Sequence, residues 1–157
     1  MLHKKWLKIL SLSENNISDI KILENVKFEK LERLNLGGNK ISDINILEKV
    51  KFKELKELDL SWNNISDIKV LEKVKFEKLQ KLDLSNNQIS NIDILEKVNF
   101  KELRELNLYA NDITDLNVLE KVKFEKIDIL NLSKNKISNI DILEDVNFKQ
   151  LKELYFF

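Results

Sequence analysis

The stretch LKELDLSWNNI at residues 55–65 decides the fold of this chain, because its pattern returns every 24 residues. Numbered from its first leucine, the unit carries leucine at positions 1, 4 and 6, asparagine at position 9 and isoleucine at position 11. The asparagine column contains Asn15, Asn39, Asn63, Asn87, Asn111 and Asn135. A unit this short cannot bury its own apolar face, so the pattern predicts units stacked into a solenoid.

Within each unit, the two halves have different periods. Positions 4 and 6 alternate with polar residues, which predicts a strand that pairs in parallel with its counterpart one repeat away. In the return half, Ile44, Leu47 and Val50 recur at three-residue spacing, which favours a short helix or 3₁₀ turns on the outer side. Ser42 or Asp43 stands at the expected helix N-cap. A phenylalanine column is predicted to pack in the core: Phe28, Phe52, Phe76, Phe100, Phe124 and Phe148.

The recurring L-x-x-L-x-L-x-x-N-x-I pattern resembles the leucine-rich repeat family. The I-x-x-I-x-x-L segment that follows is similar to the class found in bacterial internalins and in a regulatory subunit of protein phosphatase, with two extra residues around V-x-F. The resemblance implies a single α/β solenoid domain over residues 1–157, with about six repeats and a terminal half repeat. It further implies a curved horseshoe with a parallel sheet on the concave face, short helices or 3₁₀ turns on the convex face, and protein–protein recognition on the concave face.

The asparagine at position 9 is expected to have a structural role. A chain that turns out of a strand leaves backbone groups unpaired, and an amide side chain can both donate to and accept from them. Stacked amides could also bond to one another along the column.

The charged residues follow a second period of 48 residues. Position 23 changes sign at every repeat, from Glu29 through Lys53 to Glu77, and positions 24, 2 and 3 alternate in similar ways. In-register stacking would place identical charges about 5 Å apart, so this alternation predicts favourable pairs between neighbouring repeats. These residues are therefore expected to stabilise the stack first.

Composition excludes several function classes. Lys plus Arg equals Asp plus Glu at 27 each, so nothing favours nucleic acid as a partner. The chain has no cysteine, and His3 is its one histidine, which gives no basis for a metal site, a catalytic triad or a cofactor. We expect no enzymatic activity, no signal peptide and no membrane span, and a cytoplasmic location.

A few residues break the repeat on the concave face. Trp62 replaces a small or polar residue at position 8, and Tyr109 replaces serine at position 7. Aromatic side chains are common binding anchors, although each ring could equally lean over its neighbours. Asp59 and Asp83 share position 5 and would attract a cationic group. The predicted partner-binding residues are Arg33, Glu57, Asp59, Trp62, Lys81, Asp83, Asn86, Glu105, Asn107 and Tyr109.

The C-terminal residues favour an alternative from another class. An uncovered apolar edge strand invites association, and the last repeat is rich in aromatic residues. A structural or self-associating scaffold, natural or designed, could therefore form a homodimer through Tyr155, Phe156 and Phe157. The first hypothesis instead places another protein on the concave face. Gly37-Gly38 would let the backbone of that partner approach closely.

Overall fold

A computed structural model describes residues 5–146 and 148–156. Within that part of the chain, seven three-residue strands form one parallel sheet whose spatial order is the sequence order. The strands are β1 (Ile9–Ser11), β2 (Arg33–Asn35), β3 (Glu57–Asp59), β4 (Lys81–Asp83), β5 (Glu105–Asn107), β6 (Ile129–Asn131) and β7 (Glu153–Tyr155). The predicted parallel sheet is confirmed.

The register of the sheet follows the 24-residue repeat. Each strand residue pairs with its counterpart one repeat later, as Leu34 does with Leu58 and Leu58 with Leu82. These three leucines at position 4 are essentially fully buried, while positions 3 and 5 on either side are half-buried or exposed. Neighbouring repeats therefore share one apolar core, which lies on the face of the sheet where position 4 points. Positions 3 and 5 point to the opposite face, which is the concave face of the solenoid.

Short 3₁₀ helices run along the outer side. They span Lys21–Asn25, Asn45–Glu48, Lys69–Glu72, Asp93–Glu96, Asn117–Glu120 and Asp141–Glu144. The N-cap of the second helix is Ile44, which makes no side-chain cap hydrogen bond, so the prediction of Ser42 or Asp43 as N-cap was wrong. Asp43 still binds the first turn, because its Oδ1 accepts the N–H of Asn45 at 2.8 Å. The short-helix prediction is confirmed in its 3₁₀ form.

The phenylalanine column packs in the core as predicted. Phe52 and Phe76 are each only 1% exposed, and the rings of Phe28 and Phe52 stack with centroids 6.3 Å apart. Phe124 and Phe148 stack at 6.5 Å near the other end, where Phe148 is half-buried. Such rings each remove a large apolar area from water and join adjacent repeats.

The asparagine column bonds to the backbone of two repeats at once. Nδ2 of Asn63 donates to the carbonyls of Leu60, at 3.1 Å, and of Leu36 in the preceding repeat, at 3.0 Å. Its Oδ1 accepts the N–H of Ile41 at 2.9 Å. The structural role is confirmed, but bonding between stacked amides is not, since among the described residues these amides bond to backbone groups. Those groups lie between the amides and occupy their donors and acceptors.

Ion pairs join neighbouring repeats at all four alternating positions, although position 23 has a single pair among the described residues. At position 2, Glu32 lies between Lys8 at 3.1 Å and Lys56 at 2.6 Å. At position 24, Glu54 pairs with Lys78 at 2.7 Å. At position 23, one pair among the described residues lies within 4.0 Å, Lys5–Glu29. The alternation thus produces pairs as predicted at positions 2, 3 and 24, and contributes little at position 23, where no other pair of the described residues lies within 4.0 Å.

The two lysines beside Glu32 also lower the pKa of its carboxyl group. Hydrogen bonds from Lys56 and then Lys8, with their positive charge, hold the pKa of Glu32 at about 2. The same hydrogen bond raises the pKa of Lys56 above its usual value. Both shifts favour the charged forms, so the pair stays ionised over the whole neutral range.

Candidate functional site

Position 3 of the concave face is occupied by two ion pairs. Arg33 Nε lies 2.7 Å from Oε2 of Glu57, and Lys81 Nζ lies 2.7 Å from Oε1 of Glu105. These four residues were predicted as partner contacts, and the structure places all four on the concave face. Because each cation has an anion of its own chain, a partner would have to compete for it.

In strands β2 to β6, position 5 carries a side chain that binds the following turn. Oδ1 of Asp59 accepts the N–H of Ser61 at 2.9 Å and its hydroxyl at 2.6 Å. Oδ1 of Asp83 accepts the N–H of Ser85 at 2.9 Å, and Asn107 repeats the arrangement with the N–H of Tyr109. These Asx turns fix the carboxylates in place, a local role that the sequence interpretation missed.

Asp59 and Asp83 are direct neighbours, as predicted, since β3 and β4 pair them in register. Their second oxygens differ. Oδ2 of Asp83 accepts Nδ2 of Asn107 at 3.0 Å, whereas the hydrogen bonds of Asp59 within the described chain all end on its Oδ1. One carboxylate oxygen on the concave face therefore stays available to a ligand.

Position 8 adopts the left-handed backbone conformation in every repeat from the first to the sixth. The column contains Glu14, Gly38, Trp62, Asn86, Ala110 and Lys134, with φ between 52° and 68°. Glycine and asparagine tolerate this region best, and other residues adopt it at a cost. In the sequence, Gly38 and Asn86 are the two position-8 residues whose types indicate a left-handed turn.

Trp62 combines this unfavourable backbone with high exposure. Its φ is 53° and its side chain is 65% exposed. Neither local conformation nor core packing accounts for tryptophan here. The position-8 neighbours of Trp62, Gly38 and Asn86, are much smaller, so the indole is flanked by short side chains.

Tyr109 is in a different situation. It is half-buried, and Nζ of Lys134, from the next repeat, lies 5.3 Å from the centroid of its ring. The ring thus already carries a cation of its own chain. Of the two aromatic residues singled out in the sequence, Trp62 is the open one and Tyr109 is the covered one.

A groove on the rim of the concave face runs beside Trp62, and we call it the rim groove. It is lined by Ser13, Glu14, Asn35, Gly37, Gly38, Asp59, Ser61 and Trp62. A Cβ at residue 37 would lie 2.9 Å from Oγ of Ser61 and 3.0 Å from Oδ1 of Asp59, so any larger residue would have to displace these side chains. The two glycines therefore leave this part of the groove without side chains of its own.

The C-terminal edge contains the other predicted surface. All three residues of β7 are exposed, with Leu154 at 36% and Tyr155 at 46%. The Tyr155 hydroxyl donates to Oε2 of Glu153, and this bond raises the pKa of the tyrosine. Phe156 is half-buried, and Phe157 lies outside the described residues.

Residues 5–146 and 148–156 contain no cluster of three or more His, Cys, Asp or Glu side chains that could hold a metal ion. No helix in that part of the chain has the length and apolar content needed to cross a membrane.

The family described as leucine-rich repeats (2 copies) matches residues 5–49, 29–73 and 77–121, which is more than half of the chain. The chain therefore belongs to the leucine-rich repeat family. No curated protein sequence matches it.

Solved structures show the same architecture. An internalin from Listeria monocytogenes is similar, with a TM-score of 0.78 and 27% identity, over 96% of this chain and 41% of that one. A leucine-rich repeat protein from Leptospira interrogans has the same score and identity over 96% of this chain and 37% of its own. This chain therefore spans less than half the length of either.

A third similar structure comes from a plant and is that of a complex. The ectodomain of the membrane receptor kinase GASSHO1/SCHENGEN3 from Arabidopsis thaliana matches with a TM-score of 0.70 and 25% identity, over 94% of this chain and 18% of that one. It was solved in complex with CASPARIAN STRIP INTEGRITY FACTOR 2.

Proposed function

We propose that this chain is a binding module that recognises another protein through its concave face. The observation that carries the proposal is Trp62, which stands 65% exposed on the rim of that face in a backbone conformation that disfavours it. Exposed aromatic side chains bury much area on binding and lose few rotamers, so they supply binding energy efficiently.

The shape of the face supports a protein partner over a small molecule. Positions 3 and 5 of seven neighbouring strands form a continuous surface, and only shallow depressions interrupt it, such as the one lined by Arg33, Asn35, Glu57, Asp59, Lys81 and Asp83. Small-molecule sites are enclosed clefts, whereas a broad open surface matches the size of a protein interface. The similar plant ectodomain, solved in complex with CASPARIAN STRIP INTEGRITY FACTOR 2, also supports a binding role.

The test is affinity capture followed by paired variants. A partner captured from the source cells is measured against the double variant Trp62→Ala, Tyr109→Ala by isothermal titration calorimetry. We expect at least about a tenfold loss of affinity, which is typical of removing anchor residues. The matched control is Trp6→Ala with Tyr155→Ala, which removes one exposed tryptophan and one exposed tyrosine at the two ends of the sheet. Equal affinity of both variants and the parent would overturn the concave-face proposal.

The second candidate is self-association through the C-terminal edge, and exposed β7 favours it. Here Tyr155, Phe156 and Phe157 would pair with a second copy, since an exposed strand offers unpaired backbone groups. Light scattering across a hundredfold range of concentration decides the point. A concentration-independent monomer excludes the dimer, and a dimer that becomes monomeric on deletion of residues 155–157 establishes it. The absence of enzymatic activity, of a cofactor and of a nucleic-acid partner stays a prediction.

A further inference from the structure

We propose that the rim groove binds the guanidinium group of an arginine presented by the partner protein. This inference rests on the proposed function and specifies the chemistry that the N-terminal half of the concave face recognises. It follows from three properties of the groove: an open aromatic wall, carboxylates without a cation, and a part that has no side chains of its own.

The aromatic wall has no cation of its own. Tyr109 carries the ammonium group of Lys134 at 5.3 Å, and within the described chain no lysine or arginine occupies the corresponding place over Trp62. Indole is the side chain whose face attracts cations most strongly. Tyr109, whose ring attracts cations less strongly, thus has a lysine of the same chain over it. Trp62, whose ring attracts them more strongly, has no such cation among the described residues.

The carboxylates of the groove also lack a countercharge. Elsewhere on the concave face, Glu57 and Glu105 each have a cation at 2.7 Å. No lysine or arginine of the described chain lies within 4.0 Å of Glu14 or Asp59, and Oδ2 of Asp59 accepts no hydrogen bond there. A positive group from a partner would complete the same pairing that the neighbouring positions achieve internally.

The shape of the groove favours a planar cation. The lining includes Gly37 and Gly38, and the position-8 counterparts of Gly38 in the preceding and following repeats are Glu14 and Trp62. A guanidinium group stacks flat on an aromatic face and donates to carboxylates from its edge, whereas an ammonium group does neither in a planar way. Arginine therefore matches both walls at once.

Two short peptides test the inference on the whole chain. The probes are acetyl-Gly-Ala-Arg-Ala-Gly-amide and the same peptide with citrulline, which keeps the shape of arginine and removes its charge. The readout is the NMR signal of the indole N–H of Trp62, assigned with Trp62→Phe, while the signal of Trp6 serves as an internal control. We expect the arginine peptide to shift the Trp62 signal and the amide signals of Gly37 and Gly38, and the Trp6 signal to stay in place.

A matched pair of variants isolates the carboxylate. Asp59→Asn keeps an oxygen that can accept the N–H of Ser61, and it removes the charge. Asp83→Asn makes the same change one repeat away, where both oxygens already have partners. The shift at a fixed peptide concentration should fall at least about fivefold in Asp59→Asn, because a charge-assisted bond becomes a neutral one, and should change little in Asp83→Asn. An equal shift with citrulline, or equal shifts in the two variants, would overturn the inference.

The two proposals can fail separately. If a concave-face partner loses affinity with Trp62→Ala, Tyr109→Ala but binds Asp59→Asn as well as the parent, the proposed function stands and the arginine site is wrong. If the arginine peptide shifts the Trp62 signal while the captured partner tolerates the double variant, the groove binds arginine and the concave-face function is wrong for that partner.

Discussion

Two columns of residues run side by side along the rim, at positions 8 and 9, and they behave in opposite ways. Asn63 is 8% exposed and bonds to two repeats, whereas Trp62, one residue earlier, is 65% exposed. Position 9 is asparagine in six repeats, while position 8 varies between Glu14, Gly38, Trp62, Asn86, Ala110 and Lys134. One turn thus holds the stack together with one side chain and leaves the adjacent one free to vary.

The largest effect should come from breaking the asparagine column in the middle of the stack. Asn63→Ala removes donors to Leu36 and Leu60 and leaves the N–H of Ile41 without its acceptor. We expect the free energy of unfolding to fall by about 3 kcal/mol, since each buried group without a partner costs about 1–3 kcal/mol. Urea denaturation measures it.

The matched control for this variant is Asn15→Ala. The amide of Asn15 is exposed, and its hydrogen bonds within the described residues stay in its own turn, to Leu12 and Ser13, so its removal should cost less than about 1 kcal/mol. If both variants cost the same, the bonds between repeats do not account for the stability of the column.

The next effect concerns the position-8 column and has the opposite sign. Trp62→Gly and Ala110→Gly each relieve a left-handed backbone, so each should raise the free energy of unfolding by about 0.5–1 kcal/mol. Only Trp62→Gly should also weaken partner binding. Thermal unfolding and calorimetry report the two quantities, and a destabilised Ala110→Gly would show that position 8 is not strained.

A smaller effect separates the ion pairs of the concave face from the asparagine column. Arg33→Glu places two acidic side chains together at β2 and β3, and the added change Glu57→Arg restores an opposite pair. The coupling free energy from the double-mutant cycle should be about 0.5 kcal/mol, which is typical of exposed pairs. It should shrink in 1 M salt. A coupling free energy above about 2 kcal/mol would mean that this ion pair stabilises the stack as strongly as the asparagine column does.

The smallest effect is a pH dependence at Glu32. Lys56 and Lys8 lower its folded pKa to about 2, below the unfolded value of about 4.3. Its contribution to stability is therefore complete above about pH 4.3 and is lost as the pH falls toward 2. NMR titration of the Glu32 carboxyl carbon should show its midpoint near 2, and in Lys56→Met the midpoint should rise. An unchanged midpoint in that variant would assign the shift to another cause.

Much of the fold could be predicted because it is encoded by repetition. The leucines at positions 1, 4 and 6 are buried in the repeats between the two ends of the stack, and the 24-residue spacing fixes the strand register directly. Arg33 with Glu57 and Lys81 with Glu105 were also predictable, since a residue and its counterpart one repeat away must lie side by side. At position 23 the prediction was largely wrong, because proximity of backbone positions does not decide where long side chains point.

The candidate site was less predictable, because it depends on the backbone of a turn. Trp62 and Tyr109 looked equivalent as departures from the repeat, but Lys134 covers one ring and no side chain of the described chain pairs with the other as a cation. Asp59 and Asp83 looked equivalent as well, until Asn107 was found to occupy one oxygen of Asp83. Each distinction depends on whether a side chain of the next repeat reaches the residue, and the repeat pattern does not specify this.

By itself, the sequence determined the solenoid, its register and its family, since apolar periodicity and in-register stacking together bury the leucines of each inner repeat against those of its neighbours. Only the tertiary structure decided which departures from the repeat stay open to a ligand. Trp62 is exposed in a left-handed turn, Gly37 leaves room for the side chains of Ser61 and Asp59, and together they line a groove whose carboxylates have no lysine or arginine of the described chain within 4.0 Å. The physical reason is that these features depend on contacts between neighbouring repeats, and the sequence of a single repeat does not specify such contacts.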